Sequence, residues 1–234
     1  MPAFQGSHSP HRWNQIRKLP MQPEIRTLRH YEDEVSVGQL DALTALRSID
    51  SLQELGVEDL RLVHHLIFQR VHPWAGQFRT PGQMATVSGY PSADPHRIDR
   101  ELQLALFQYR ELLRPGLSSL SPHELLRAVS FFHVRFERIH PFLDGNGRTG
   151  RAILAVQTEK MFGTLPTFAN QSSYRAAIRE SGSNDLGPFI RFLSAEIDLP
   201  SKPGPSTSPF RLAPRFLETD TSPTFEEDLA WSRV

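Results

Sequence analysis

The chain has 234 residues, of which 38% are hydrophobic and 22% are charged, a composition with enough apolar material to bury a core. Its 26 basic residues balance its 26 acidic residues, which argues against non-specific nucleic-acid binding because that activity needs a basic surface. The sequence contains no cysteine, which excludes disulfides, thiolate metal sites and cysteine nucleophiles.

We also find no targeting segment in the sequence. No apolar run approaches the roughly 18 residues that a membrane span needs. The first residues, MPAFQGSHSPHRWNQIRKLP, contain no apolar stretch of signal-peptide length. We therefore expect a soluble, cytoplasmic protein with no membrane partner, although delivery into another cell is left open.

Both ends of the chain are rich in proline and lack apolar periodicity. Residues 1–24 contain four prolines, and residues 200–223 contain six among serines and threonines. Such segments bury too little apolar surface to offset the entropy of ordering them. We predict a partly disordered N-terminal extension over 1–39, a single domain over 40–198, and a flexible Pro/Ser-rich tail over 199–234.

The central region predicts an all-α domain with one small β-hairpin. Asp94 before Pro95, and Ser121 with Glu124 three residues later, are helix-start signals. Residues 80–90, TPGQMATVSGY, combine turn residues with a short β-compatible stretch, which indicates a hairpin or extended flap. Apolar periodicity predicts the helices, over 55–71, 95–113, from Ser121 onward, 146–162, 174–179 and 186–197.

The most informative stretch is FERIHPFLDGNGRTGR, residues 136–151. Pro141 stops one helix, and a glycine-rich loop leads directly into the next helix, whose free N–H groups and dipole favour an anion such as phosphate. Arg148 and Arg151 are three residues apart and can donate to phosphate oxygens. Asp144 could hold a divalent metal that bridges phosphates, and His140 has the side chain suited to abstracting a proton near neutral pH.

Each of these residues has a commoner structural explanation when taken alone. A His-Pro pair at a helix end is usually a turn, Gly-Asn-Gly is usually a plain turn, and Asp144 could be a helix cap. Arg148 and Arg151 could form a solvated helix face. Their conjunction within twelve residues is what predicts a phosphoryl- or nucleotidyl-transfer site.

These residues resemble a known family signature. The segment from His140 to Arg151 is similar to the Fic-family motif H-x-F-x-[D/E]-G-N-G-R-x-x-R, with every defined position filled. A second stretch, WAGQFR at residues 74–79, resembles the W-A-G-x-[YF]-R segment that precedes the family's flap. The helices after residue 174 are similar more loosely, so the resemblance covers roughly residues 40–198 and implies a helical Fic fold.

The resemblance implies a protein adenylyltransferase, which moves AMP from ATP to a tyrosine, threonine or serine hydroxyl of a target protein and releases pyrophosphate. His140 would be the general base, and Phe142 would anchor the loop. Asp144 would hold Mg²⁺ between the α- and β-phosphates of ATP.

The remaining motif positions would bind the nucleotide. Gly145, Asn146 and Gly147 would form the anion hole, with Asn146 near the α-phosphate. Arg148 and Arg151 would bind the outer phosphates, with Arg151 at the γ-phosphate.

The resemblance also bears on sub-family and regulation. The kinase-like Doc branch has Ala-Asn-Lys where this chain has Gly-Asn-Gly, so phosphate transfer is disfavoured. Many relatives carry an inhibitory helix, [S/T]-x-x-x-E-[G/N], but no glutamate here precedes glycine or asparagine. A separate antitoxin-like chain could supply the missing glutamate, and the flap, residues 80–91, is expected to dock a target protein.

Several alternatives stay open from the sequence. The donor could be another pyrophosphate-containing metabolite such as UTP, GTP or CDP-choline, or the chain could be a nucleotide-binding module that transfers nothing. The other histidines match no metal-binding motif. Tyr174 could line the adenine pocket or belong to the core, and Trp74 is interpreted as a core anchor.

Overall fold

The computed structural model describes residues 10–83, 86–87, 90–182 and 185–199. These residues form eight α-helices and one pair of two-residue strands, so the prediction of an all-α domain is confirmed. The elements are α1 (Pro10–Ile16), α2 (Leu28–Arg47), α3 (Val57–Phe68), β1 (Thr86–Val87), β2 (Tyr90–Pro91), α4 (Ile98–Leu113), α5 (Pro122–Ile139), α6 (Asn146–Phe162), α7 (Gln171–Glu180) and α8 (Gly187–Glu196).

The predicted helix starts are confirmed by their hydrogen bonds. Ser121 accepts from the Glu124 N–H at 3.3 Å, and the Glu124 carboxylate accepts from the Ser121 N–H at 2.9 Å, which completes a capping box before α5. Asp94 accepts from the His96 N–H at 2.9 Å and opens a short 3₁₀ turn, Pro95–Arg97, that leads into α4. These caps satisfy N–H groups that a helix start leaves without an acceptor.

Helix α5 lies at the centre of the packing and contacts α4, α6 and α8. Its buried Phe132 and Phe136 pack in the main apolar cluster together with residues from the other helices. Helices α2 and α3 approach each other so closely that a Cβ on Gly38 would lie 2.4 Å from the Ile67 carbonyl oxygen. Burial of this shared apolar surface is the main source of stability, because isolated helices of this length are marginal in water.

The predicted domain boundary at residue 40 is wrong. It falls inside α2, which begins at Leu28 and whose Tyr31 and Val35 are already buried in the core. Another helix, α1, lies within the predicted N-terminal extension. The sequence obscured α2 because Gly38 at its centre is a poor helix former, although the close contact with α3 requires it.

The predicted flap is described only in part. Strands β1 and β2 pair antiparallel, with Thr86 opposite Pro91 and Val87 opposite Tyr90. Residues 84–85 and 88–89 lie outside the described residues, so the full hairpin over 80–91 stays a prediction. The tail predicted over 199–234 lies outside them as well, apart from Leu199.

Candidate active site

The loop of residues 140–145 joins α5 to α6. His140 follows the last residue of α5 in the left-handed region, with φ 51° and ψ 61°, and its N–H still donates to the Phe136 carbonyl at 3.0 Å. Pro141 then ends the helix because it has no N–H to donate. Gly145 enters α6 with φ 84°. The helix end and helix start predicted on either side of this loop are confirmed.

The imidazole of His140 is oriented by its own helix. Its Nδ1 lies 3.2 Å from the Glu137 carbonyl oxygen. A carbonyl can only accept a hydrogen bond, so this contact requires a proton on Nδ1, and in the neutral ring Nε2 carries the lone pair. This is the tautomer that a general base requires.

The side chain of Asn146 shapes the loop from inside. Its Oδ1 accepts from the Phe142 N–H at 2.8 Å, and its Nδ2 donates to the Phe142 carbonyl at 2.8 Å. The side chain is 1% exposed. Any contact of Asn146 with an anion would therefore come from its backbone N–H, which opens α6 beside that of Gly147 and has no acceptor within the helix.

Arg148 and Asp144 form a pair at the edge of this helix start. Arg148 Nη2 lies 3.2 Å from Asp144 Oδ2, and the guanidinium stacks over the Phe68 ring at 4.5 Å from the centroid. Burial by itself would lower the pKa of Arg148, but the Tyr31 hydroxyl and the Asp144 carboxylate raise it on balance. Arg148 is thus a fixed positive charge that also orients the Asp144 carboxylate.

Arg151 lies on the first turn of α6 beside Gly147. A Cβ on Gly147 would meet Arg151 Nη1 at 3.0 Å, and the guanidinium stands 5.4 Å from the centroid of the Tyr174 ring. Tyr174 is 4% exposed, so of its two interpretations the structure favours the core aromatic. Its ring forms a platform that supports the arginine.

A buried polar cluster lies behind Arg151, and sequence analysis missed it. The Tyr174 hydroxyl donates to Glu137 Oε1 at 3.1 Å, and His133 Nε2 lies 2.9 Å from the same hydroxyl. Burial raises the pKa of Glu137 to about 7, with the Arg151 charge opposing the shift. Burial also lowers the pKa of His133 to about 3. The only sequence signal was a glutamate and a histidine four residues apart within an apolar helix.

Glu137→Gln should make the stability of the protein less dependent on pH. The folded pKa of about 7 lies above the ordinary 4.5, so between these values the folded chain holds a proton that the unfolded chain releases. The stabilisation is complete below pH 4.5 and is lost as the pH rises through 7, with a slope of up to about 1.4 kcal/mol per pH unit. Urea unfolding of both proteins at pH 5, 6, 7 and 8 measures the slope.

Glu111→Gln is the matched control for that experiment. Glu111 forms a 3.7 Å surface pair with Arg114, and such pairs contribute little to stability. We expect the control to keep the wild-type slope. Equal slopes for wild type and Glu137→Gln would contradict a raised pKa at Glu137.

The second sequence segment, WAGQFR, is bonded directly to the loop. Phe78 and Phe142 form an isolated antiparallel bridge, and their rings lie 5.4 Å apart. The Arg79 N–H donates to the Pro141 carbonyl at 2.9 Å. Backbone hydrogen bonds therefore join two stretches that are more than 60 residues apart in the sequence.

His64 joins the same two stretches from α3. Its Nδ1 accepts from the Gly76 N–H at 2.8 Å, so its Nε2 is the protonated nitrogen, 3.0 Å from the Asp144 carbonyl. Its ring stacks on Phe142 with centroids 3.8 Å apart. Burial lowers the pKa of His64 to about 3, which keeps the ring neutral and suited to this packing.

Trp74 supports the segment from its outer side. Its indole N–H donates to the Pro20 carbonyl at 3.1 Å, and its ring stacks on His72 with centroids 4.4 Å apart. Trp74 is half-buried and lies outside the main apolar cluster, so the interpretation of it as a core anchor is not confirmed.

Two kinds of feature are absent from the described residues. Among them, no group of three or more histidine, cysteine, aspartate or glutamate side chains is arranged to hold a metal ion. Within the same part of the chain, no helix combines the length and the apolar character needed to cross a membrane.

The structure is a helical domain in which the loop of residues 140–145 leads into α6. Residues 54–158 match the model of the Fic/DOC family. A Fic-domain signaling protein from Bacteroides thetaiotaomicron has a similar fold, with a TM-score of 0.62 over 74% of this chain and 71% of that one at 18% identity. The BepC protein from Bartonella tribocorum, solved with AMPPNP, gives a TM-score of 0.58 over 76% and 91% at 19% identity. Residues 54–158 are thus similar to the Fic/DOC family, and the fold of the chain is similar to that of solved Fic domains.

Curated relatives bear a functional name. A protein adenylyltransferase Fic from Nematostella vectensis is 26% identical over 68% of this chain and 36% of its own length. Another from Drosophila persimilis is 30% identical over 60% of this chain and 27% of its own length. The chain thus spans about a third or less of these relatives.

Proposed function

We propose that this protein is an adenylyltransferase that moves AMP from ATP to a hydroxyl side chain of a target protein. The observation that carries the proposal is the position of His140 in the loop before α6, with its Nδ1 3.2 Å from the Glu137 carbonyl oxygen. The names of the curated relatives support the same reaction class. Solved Fic domains with bound AMPPNP or ADP support a nucleotide as the ligand.

The start of α6 would bind the phosphates of ATP. The backbone N–H groups of Gly145, Asn146 and Gly147 and the positive end of the helix dipole favour an anion. Arg148 and Arg151 would donate to the outer phosphates, with Arg151 at the γ-phosphate. Each charge has its own aromatic support, because the Arg148 guanidinium lies 4.5 Å from the Phe68 centroid and the Arg151 guanidinium 5.4 Å from the Tyr174 centroid.

Magnesium is implied by the family, and the residues fit this ion. Asp144 supplies one half-buried carboxylate held by Arg148 at the helix start. Mg²⁺ is usually bound by one or two carboxylates together with substrate phosphates. Asp144 would be the protein ligand, and bound Mg²⁺ would neutralise charge on the phosphates.

His140 would start the chemical step. Its Nε2 takes the proton from the target hydroxyl as the oxygen attacks the α-phosphorus. The new O–P bond forms while the bond from the α-phosphorus to the bridging oxygen breaks, and that electron pair leaves with pyrophosphate. The backbone N–H groups of the loop stabilise the negative charge that develops at the α-phosphate.

Target docking and regulation complete the proposal. The flap would pair with an extended segment of the target through backbone hydrogen bonds. No glutamate in the sequence precedes glycine or asparagine, so either an antitoxin-like partner chain would inhibit the enzyme or the enzyme would be unrestrained until something else limits it.

The test uses ATP labelled at either the α- or the γ-phosphate, with Mg²⁺ and a cell lysate. We expect label on protein from the α-position alone. Label from the γ-position would indicate phosphate transfer, as in the Doc branch. The assay is repeated with labelled UTP, GTP and CDP-choline. Nucleotide binding without protein labelling by any of these donors would favour the non-catalytic module.

A further inference from the structure

We propose that Arg79 is a positioning residue that couples the two ends of the flap segment to the base His140. The proposal rests on the proposed function and assigns Arg79 a role in its chemical step. We call Gln83, near the start of the flap, and Ala93, two residues after it, the flap ends, and both are described. No contact of Arg79 with nucleotide or target is needed, because it acts through backbone carbonyls.

The guanidinium of Arg79 is surrounded by carbonyl oxygens. Its Nε donates to the His140 carbonyl at 2.8 Å, and its Nη2 donates to the Ile139 carbonyl at 3.3 Å. Nη1 donates to the Gln83 carbonyl at 3.4 Å, and Nη2 also donates to the Ala93 carbonyl. One buried side chain, 3% exposed, therefore joins the end of α5 to both flap ends.

An arginine suits this position better than any other residue. Its planar group offers five donors in a fixed fork, whereas lysine offers a point charge. The last carbonyls of α5 carry the negative end of the helix dipole, which favours a cation. Burial lowers the pKa of Arg79, and the Asp94 carboxylate beside the flap opposes this shift.

These bonds fix the residue on which the chemistry depends. His140 is in the left-handed region, which side chains other than glycine adopt at a cost. The bonds from Arg79 to the carbonyls of Ile139 and His140 hold the backbone in this conformation, and the direction of the imidazole follows from it. A misplacement of about 1 Å in a catalytic group can cost about 100-fold in rate.

The same guanidinium sets the position of the flap relative to the base. A target strand that pairs with the flap would take its register from β2, whose Pro91 stands two residues before Ala93. Arg79 binds Ala93 and His140 through one rigid group. The attacking hydroxyl and the base would therefore be brought into register by a side chain that contacts neither.

The experiment compares Arg79→Gln and Arg79→Lys with wild type. We expect kcat for AMP transfer to fall about 10- to 100-fold in Arg79→Gln, while KM for ATP stays within about twofold because Arg79 contacts none of the phosphate-binding residues. Arg79→Lys should recover part of kcat. The ¹H–¹⁵N resonances of the His140 imidazole should shift in both variants.

Arg110→Gln is the matched control. Arg110 also donates to two backbone carbonyls, those of Gln53 at 3.0 Å and Leu55 at 2.9 Å. Its loss should lower the thermal midpoint but leave kcat and the His140 resonances unchanged. If Arg79→Gln does not fold, Arg79→Lys carries the test, since it keeps the charge.

The outcomes separate this proposal from the proposed function. Wild-type kcat and unchanged His140 resonances in a folded Arg79 variant would overturn the coupling. Equal losses in the Arg79 and Arg110 variants would assign Arg79 a purely structural role and would also overturn it. A wild-type protein that transfers no AMP would overturn the proposed function, while the His140 resonances would still test the coupling.

Discussion

Replacing His140 with alanine is expected to abolish AMP transfer and leave the fold intact. General-base catalysis contributes about 10²- to 10⁴-fold to rate, and Glu137 orients this imidazole for that role through its carbonyl. The imidazole is only half-buried and fills no part of the apolar core. The loss should therefore appear in kcat, with little change in ATP binding.

The backbone of His140 calls for a second variant. Its φ of 51° is strained for alanine but readily adopted by asparagine. His140→Asn therefore removes the base with less effect on the loop, and both variants should lose transfer equally. Transfer of α-labelled AMP, circular dichroism and ATP binding are the measurements.

His123→Ala is the control for these variants. It lies at the start of the same helix, α5, away from the loop. Its activity should match that of wild type. A folded His140→Asn protein that still transferred AMP at the wild-type rate would rule out His140 as the base.

Local sequence signals predicted the parts of the fold that depend on a few neighbouring residues. The capping box of Ser121 and Glu124 and the turn at Pro141 depend on residues within four positions of one another, so the sequence displays them directly. Helix α2 was missed because its burial is decided by α3. Its Gly38 looks like a helix breaker until the Ile67 carbonyl is seen against it.

The candidate site likewise has some features that the sequence predicts and others that it does not. The motif predicted which residues gather at the start of α6, since they lie within twelve positions. It did not predict that the Asn146 side chain binds Phe142, or that Arg79 and His64 reach the loop from other parts of the chain. These contacts depend on tertiary packing, and no periodicity or spacing in one sequence reveals them.

Gly145→Ala is expected both to destabilise the protein and to disturb the proposed phosphate site. With φ at 84°, alanine pays about 1 kcal/mol for the left-handed conformation. Its Cβ would also lie 2.4 Å from Phe68 Cε2. Overpacking of this kind costs about a further 1–3 kcal/mol. Since the Phe68 ring supports Arg148 at 4.5 Å, a displaced ring would move the charge that we propose binds phosphate.

Gly163→Ala measures the cost of the left-handed backbone without the cost of overpacking. Gly163 has φ 70° at the end of α6, and a Cβ there would meet nothing within 4 Å. Its loss of unfolding free energy should be only the left-handed cost of about 1 kcal/mol, with normal AMP transfer. Urea unfolding of both variants gives the difference, and similar losses would show that Phe68 yields without cost.

A double variant locates the clash. Combining Gly145→Ala with Phe68→Leu removes the ring atoms that the new methyl would strike, so the two changes should destabilise less together than the sum of each alone. Strict additivity would mean that the backbone angle accounts for the whole effect. If the double variant destabilises less than the sum of the single variants, Phe68 is the contact that requires glycine at position 145. The same contact would then link the loop geometry to the position of Arg148.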